Sequence, residues 1–433
     1  MKNAEKRVSS PYKNLKSRKV GHATSSIFKT AWIVLALLVA AYLDCGVRYA
    51  LYSPARSSNY LWAAYHVHST MSDGLGSPEE IAVQARTAGV SLVLLTDHGN
   101  PNLAATMFHK LINGVTLVGG SEARLPDGRL TFFGATDLPH SSISAFPPNA
   151  MEDARRWGAF PVIAYPDDPI YGWNYWKTDI APGGIEVSNL FTCVRGLSVA
   201  DKLLLVLFYP FSRFYFLKSI SFPAKSLARW DEFLQRGKTW GLIAADAHGG
   251  FRVGKWGSVL TPSYDDMFSF AGLGYDRKYA SQPEQAIRQG DFFNCIRGAG
   301  EPLSFDFSAT HHQAKFVTGS NAPEGSDLHI QVRTSNQAVH LILKKNGNIL
   351  RSVDGGQLNI PNAGTGVYRV EVYLRDHLLL PPDVPWIVSN PIFVGDIPLA
   401  PIHRATLNSQ AVGDSTGLMP RGSSRPVASS QER

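Results

Sequence analysis

The chain has 433 residues, 44% of them hydrophobic and 18% charged, which is enough to fill the cores of a large catalytic domain and a smaller module. Its formal charge of +7 excludes nothing until it is located: residues 1–30 hold eight Lys/Arg against one Glu, and the rest balances at 34 basic and 34 acidic residues. No basic groove for nucleic acid is therefore expected.

The basic tail, residues 1–30, leads into the uncharged run Ala31–Leu43. Counted from Ile27 and interrupted only by Lys29, this segment is about as long as the shorter bilayer-spanning helices. Basic residues ahead of such a helix hold the tail in the cytoplasm and send the remainder of the chain across the membrane. The sequence thus predicts a single-pass anchor over 31–52, with everything after it periplasmic or extracellular. A cleaved signal peptide competes, but the basic region is long and the apolar run leads to no clean Ala-x-Ala site; Asp44 disfavours a lipid on Cys45. The three cysteines, Cys45, Cys193 and Cys295, form no CxxC pair, and a Cys193–Cys295 disulfide is allowed without being implied.

Beyond a polar connector at 53–58, strands and helices alternate. Leu61–His68 predicts a strand, and Ser77-Pro78-Glu79-Glu80 opens a helix with a capping residue, Pro at the first position and an acidic third residue. Val90–Thr96 is a continuous apolar strand of the kind buried on both faces. Strands continue at Val115–Val118, Phe160–Ala164, Gly184–Val187 and Gly241–Ala245, with an inserted hairpin at Leu125–Ala135 turning on Asp127-Gly128. Residues 201–222 interrupt the alternation with seven aromatics between Phe208 and Phe222. They suit either a headgroup interface or a loop packed on the barrel. From Pro302 to 398, short alternating strands separated by Asn, Gly and Pro predict an all-β sandwich with a hairpin at Lys345-Asn346-Gly347-Asn348. Residues 401–433 are poor in large apolar side chains, and disorder is expected there.

Chemistry gathers at the strand ends. His66 and His68 lie two apart, so a regular strand aims both to one side; Asp73 comes next in a Ser-Asp-Gly turn. His98 and Glu122 end the next two strands, and Asp246 and His248 repeat the period-two spacing far along the chain. Seven nitrogen and oxygen donors with no cysteine suit Zn, Mn or Fe, and a carboxylate such as Glu122 among imidazoles can bridge two cations.

His66-Val-His68-Ser69, Ser72-Asp73-Gly74, Thr96-Asp97-His98, Glu122 and Asp246-Ala-His248 together resemble the PHP (polymerase and histidinol phosphatase) family over about residues 61–300. The last stretch, with Tyr368-Arg-Val-Glu-Val-Tyr and Pro385-Trp-Ile-Val-Ser-Asn-Pro, looks like the appended β module of the branch that includes carbamate ester hydrolases. The resemblance implies an α/β fold: a distorted (β/α)7 PHP barrel over 59–300, carrying two or three divalent ions and hydrolysing phosphoesters with metal-activated water. By position it places His66, His68, Glu122 and Asp246 at one metal and Asp73, His98 and His248 at another, with Glu122 bridging. Where that family reads His-Pro, this chain has Tyr165-Pro166, and no histidine lies between His140 and His248. A phenol is a poor ligand at neutral pH, so two ions are expected unless Asp167, Asp168 or Glu186 substitutes.

Catalytic roles are expected for Asp246, Glu186, Arg252 and Lys255. The last two are placed to meet an anionic substrate, or are ordinary loop cations. Asp97 is expected behind an imidazole. Three functions stay open: a phosphoesterase acting on a small anion, a lipid or an envelope polymer; a carboxylic or carbamic ester hydrolase using the same metals; and a binding module with a weakened site.

Overall fold

The computed structural model describes residues 17–176, 182–252, 258–259 and 261–397, so the expectation of disorder over 401–433 lies outside the described residues. One helix runs over Ser17–Ala50, and its part Ile27–Ala50 is apolar, almost wholly unburied and long enough to cross a membrane.

The central strands are β1 (Tyr60–Val67), β2 (Leu92–Leu95), β3 (Asp97–His98), β4 (His109–Ile112), β5 (Val115–Val118), β6 (Gly120–Leu125), β7 (Gly128–Phe133), β8 (Phe160–Ala164), β9 (Gly184–Asn189) and β10 (Trp240–Ala244). After a short pair, β11 (Phe251–Arg252) and β12 (Ser258–Val259), come β13 (Gly272–Asp276) and β14 (Phe292–Cys295). The helix Pro78–Thr87 between β1 and β2 is fixed by the expected capping box of Ser77 and Glu80, and it buries Ile81, Ala82 and Ala85.

β1 pairs parallel with β2, whose line continues as β3; β3 pairs with β6, and the ladder proceeds through β7, β8 and β9 to β10. At the far end the Ala245 N–H donates to the Tyr65 carbonyl and the His68 N–H to the Ala247 carbonyl, both at 2.9 Å, which returns the path to β1. The Asp127-Gly128 hairpin is not an insertion beside this path. β7 lies within it, antiparallel to both β6 and β8, so one member of the ring runs against the others.

The remaining strands are β15 (Ser304–His311), β16 (Ala314–Val317), β17 (Asn321–Ala322), β18 (Ser326–Arg333), β19 (Val339–Lys345), β20 (Asn348–Asp354), β21 (Gln357–Ala363), β22 (Gly366–Leu374), β23 (Ile387–Ser389) and β24 (Ile392–Val394). β15, β16, β18 and β21 make a four-stranded antiparallel sheet. No sheet boundary falls at Pro302, however: β14 pairs with β23, so the sheet containing β1 and β13 runs on into β22 and β24. The β19–β20 turn has Asn346 and Gly347 at φ 52 and 80, the left-handed pair that a two-residue hairpin of this twist requires.

A buried ionic group ties the two ends together. Arg369 on β22 donates to both oxygens of Asp231 at 2.7 and 2.8 Å and to Glu371 at 2.6 Å, while Lys344 and Tyr373 complete the shell of Glu371. Residues 201–222 divide in two: the turn Arg213–Ser219 buries Phe214, Tyr215, Phe216 and Leu217, whereas the helix Val199–Phe208 buries nothing. Cys193 and Cys295 are buried free thiols, not a disulfide.

Candidate metal centre

The site lies where β1, β3, β6, β8, β9 and β10 end. Its backbone is not regular: His66, Tyr165 and Asp246 have φ of 64, 52 and 48, a left-handed region that residues with a Cβ seldom occupy. At His66 the β1–β2 register also slips between Tyr65 and Val67. His66 and His68 do converge, with ring centroids 5.2 Å apart, but through a bulge and not through plain period-two alternation.

Glu122 Oε2 is the focus. It lies 3.2 Å from His66 Nε2, 3.3 Å from His68 Nε2 and 3.3 Å from His98 Nδ1, while Oε1 takes a salt bridge from Arg129 Nη1 at 3.1 Å. Burial opposes ionisation of this carboxyl, but the close imidazoles of His66 and His68 hold it well below the usual range. On the deep side, Asp246 Oδ1 stands 3.6 Å from His68 Nε2 and 3.8 Å from His66 Nε2. On the open side, the half-exposed Asp73 carboxylate lies 3.4 Å from His98 Nε2, 3.5 Å from His248 Nε2 and 3.6 Å from His68 Nδ1. The donors fall into two sets whose atoms all lie within 4.8 Å of one another: His66, His68 and Asp246, and His68, Asp73, His98 and His248. His68 belongs to both sets.

The fit to divalent cations can be judged from what is left unpaired. His68 Nδ1 and Nε2 and Asp246 Oδ1 are buried without a hydrogen-bond partner. Each such group costs about 1–3 kcal/mol if nothing binds it, and native interiors carry few of them. Here three cluster on one spot, among imidazole nitrogens and carboxylate oxygens of the kind that hold Zn, Mn or Fe.

The other expected residues fall elsewhere. Glu186 is fully engaged behind the cluster: Oε1 meets His66 Nδ1 at 2.5 Å, and Oε2 accepts from the Tyr165 N–H at 2.9 Å and Asn189 Nδ2 at 3.1 Å. Both oxygens of this carboxylate, for which a catalytic role is expected from the sequence, accept hydrogen bonds, and one of them positions an imidazole. Asp97 turns away from the imidazoles and accepts from the Ser69 N–H, Ser69 Oγ and Ser72 Oγ, fixing the turn that presents Asp73. Asp168 is paired with Arg195 and Asp167 accepts from Ser226, so neither replaces a missing ligand. Tyr165 fills that place itself, donating to Asp246 Oδ2 at 2.8 Å. Burial, then the Asp246, Glu122 and Glu186 carboxylates, hold its phenol well above the ordinary pKa, so it stays a neutral donor. Lys255 and the side chain of Arg252 lie outside the described residues.

Arg129 was not anticipated. The register sets Glu122 opposite Thr131, which makes Arg129 its diagonal neighbour across the hairpin. The Asp127-Gly128 turn fixes that register, so the contact was readable.

No family model and no curated protein matches the chain. Among solved structures, it is similar to a two-domain protein from Bacteroides vulgatus containing a predicted PHP-like metal-dependent phosphoesterase, with 14% identity and a TM-score of 0.39, covering 78% of this chain and 97% of that one. It is also similar to a Bifidobacterium adolescentis protein named for a metal-dependent phosphoesterase, with 12% identity and a TM-score of 0.27, covering 49% of this chain and 93% of that one. Likeness this faint decides neither fold nor activity.

Proposed function

We propose that the protein is a membrane-anchored, metal-dependent phosphoesterase, with the ring from β1 to β10 as a seven-strand PHP barrel. The observation that carries the reading is the trio of buried, unpaired donor atoms on His68 and Asp246 inside a cluster of His66, Asp73, His98, Glu122 and His248. These residues would hold two divalent ions, with Glu122 between them. When bound, such ions supply Lewis acidity to a phosphoryl oxygen and lower the pKa of water.

The chain's own groups set the rest. Glu186 fixes His66 through Nδ1 and leaves Nε2 for the centre, as Arg129 occupies Glu122 Oε1 and leaves Oε2. Tyr165 occupies Asp246 Oδ2 and in the same way leaves Oδ1 for the centre. Asp73, His98 and His248 form the exposed rim, and substrate enters there. The anchor and the basic tail support a cytoplasmic N-terminus with the catalytic domain periplasmic or extracellular, facing an anionic lipid, an envelope polymer or a small phosphoester.

The test is hydrolysis by the full chain in detergent, loaded with Mn or Zn, on matched aryl phosphate and aryl carboxylic or carbamic esters. Phosphate release abolished by His66→Ala with His68→Ala is expected. Preferential cleavage of the carbon esters would replace phosphoester chemistry, and a protein that takes up no stoichiometric metal would be a binding module instead.

A further inference from the structure

We propose that the helix Val199–Phe208 lies in the outer leaflet of the bilayer as a second membrane contact, holding the catalytic domain against the membrane beside its anchor; this rests on Ile27–Ala50 being the spanning segment. Val199, Leu203, Val206 and Leu207 share one face of this helix by their spacing. They are 75%, 66%, 73% and 48% exposed, and no residue of the helix is buried. A helix with a hydrophobic stripe normally turns it to the core; this one turns it away. Isolated surface leucines need no explanation, but four on one face, joined by the half-exposed Leu204, form a patch of the kind that marks a contact.

What covers the patch is indicated by where the helix is fastened. Its C-terminal end packs on the apolar helix inside the spanning stretch, not beyond it: the Tyr42 ring meets Phe208 and Phe211 at 5.1 Å, and the Tyr42 hydroxyl donates to the Leu207 carbonyl at 3.0 Å. One turn of sequence farther on, Gly46 admits the Phe211 ring, which would stand 3.0 Å from a Cβ at that position, and Tyr49 packs on Phe208 and Tyr215. Tyr42 lies eight residues before Ala50, about 12 Å along the axis at the helical rise. If Ile27–Ala50 crosses the bilayer, Leu207 and Phe208 are drawn to the depth of Tyr42, and the exposed stripe is continuous with the lipid-facing surface of the anchor. Lys218, over the rings of Tyr49 and Tyr215, stands nearer the catalytic domain, where a cation meets headgroups. An open cleft of about 480 Å³ between this helix and residues 377–382 carries the exposed Leu378 beside Leu204, with Asp201, Lys218 and His377 in its wall.

The test uses the full chain in phosphatidylcholine vesicles containing phosphatidylglycerol, in a Cys45→Ser background, since the other two thiols are buried. Single nitroxide labels are placed through Val206→Cys, Leu37→Cys in the anchor, and Glu79→Cys on an exposed helix of the catalytic domain, and their relaxation by dissolved oxygen and by a water-soluble nickel chelate is compared. The proposal expects position 206 to behave like 37, open to oxygen and several-fold less accessible to nickel than 79. Nickel access at 206 equal to that at 79 overturns it. So does shielding of 206 from both reagents, which would mean a protein partner or a second copy covers the stripe. If position 37 itself is open to nickel, the anchor reading fails first and takes this one with it; hydrolysis is not part of the readout, so the phosphoesterase assignment is tested separately.

Discussion

Two places in this molecule bury several charges, and they are built in opposite ways. Around Arg369, the guanidinium has two oxygens of Asp231 and one of Glu371, and Glu371 has Lys344 and Tyr373 in addition. At the strand ends, His68 has neither ring nitrogen hydrogen-bonded and Asp246 leaves Oδ1 bare. A satisfied network is complete without a ligand and belongs to the fold; an unsatisfied one of mixed nitrogens and carboxylates is waiting for cations. The contrast is sharpest in variants. His68→Ala should lower turnover on the order of ten-thousandfold, equivalent to about 5 kcal/mol of transition-state stabilisation. The same variant, unfolded in chelator, should lose about 2 kcal/mol of stability or less, because the space left by the buried ring is offset by removal of its two unpaired nitrogens. A large stability loss in chelator would make His68 a structural residue and erase the distinction.

Arg369→Ala should do the reverse, costing about 3–4 kcal/mol of folding stability by stranding Asp231 and Glu371, with kcat of the surviving folded fraction little changed. Glu371 adds a pH signature. Burial alone would raise its carboxyl, but Arg369 and Lys344 outweigh burial and hold it below the ordinary glutamate value. A depressed folded-state pKa means that its stabilising contribution is whole above the ordinary value and is lost as pH falls through the folded one. Glu371→Gln should therefore be about 2 kcal/mol less stable than the parent near neutrality, and the two denaturant midpoints should converge in acid. Parallel midpoints across the pH range would show that the carboxylate's charge is not what holds this joint.

Much of this contrast was legible in the sequence, for reasons that also mark where reading stops. His66, His68, His98, Glu122, Asp246 and His248 are polar residues closing apolar runs, with Asp73 in the turn after the first, and ending at one rim of the ring brings them together whatever the local path. The Ser77–Glu80 capping box and the Asn346-Gly347 turn were equally plain, since both are local chemistry. What could not be read depends on non-local pairing. The bulge at His66 arises from β1 lying against β2, the place of β7 in the ring comes from pairing with β8, and the capture of His66 by Glu186 needs β1 and β9 to meet at one rim of the ring with β10 between them. Nor does the sequence show that the sheet crosses Pro302, because a texture of short strands looks alike in a separate module and in an extension of an existing sheet.

Glu186 tests the next level down, where a satisfied residue serves an unsatisfied centre. Glu186→Gln keeps the shape but removes the charge behind His66, so metal affinity should fall about tenfold to a hundredfold. Isothermal titration with Mn would read it. Unchanged affinity would detach Glu186 from the centre and place it with the Arg369 type of fold residue.

The smallest effect is expected at Tyr165, which stands between the two kinds of site. Its hydroxyl donates to Asp246 Oδ2, and burial among carboxylates keeps it protonated, so it acts as a neutral prop on a ligand. Tyr165→Phe removes that donor without leaving a cavity; turnover should fall about tenfold or less, in line with one buried hydrogen bond, and the ratio of metal to protein should stay the same. Loss of an ion from the purified variant would instead make the phenol a ligand in its ionised form. The centre would then be closer to three ions than two, and the substitution of Tyr for His would have preserved a metal site.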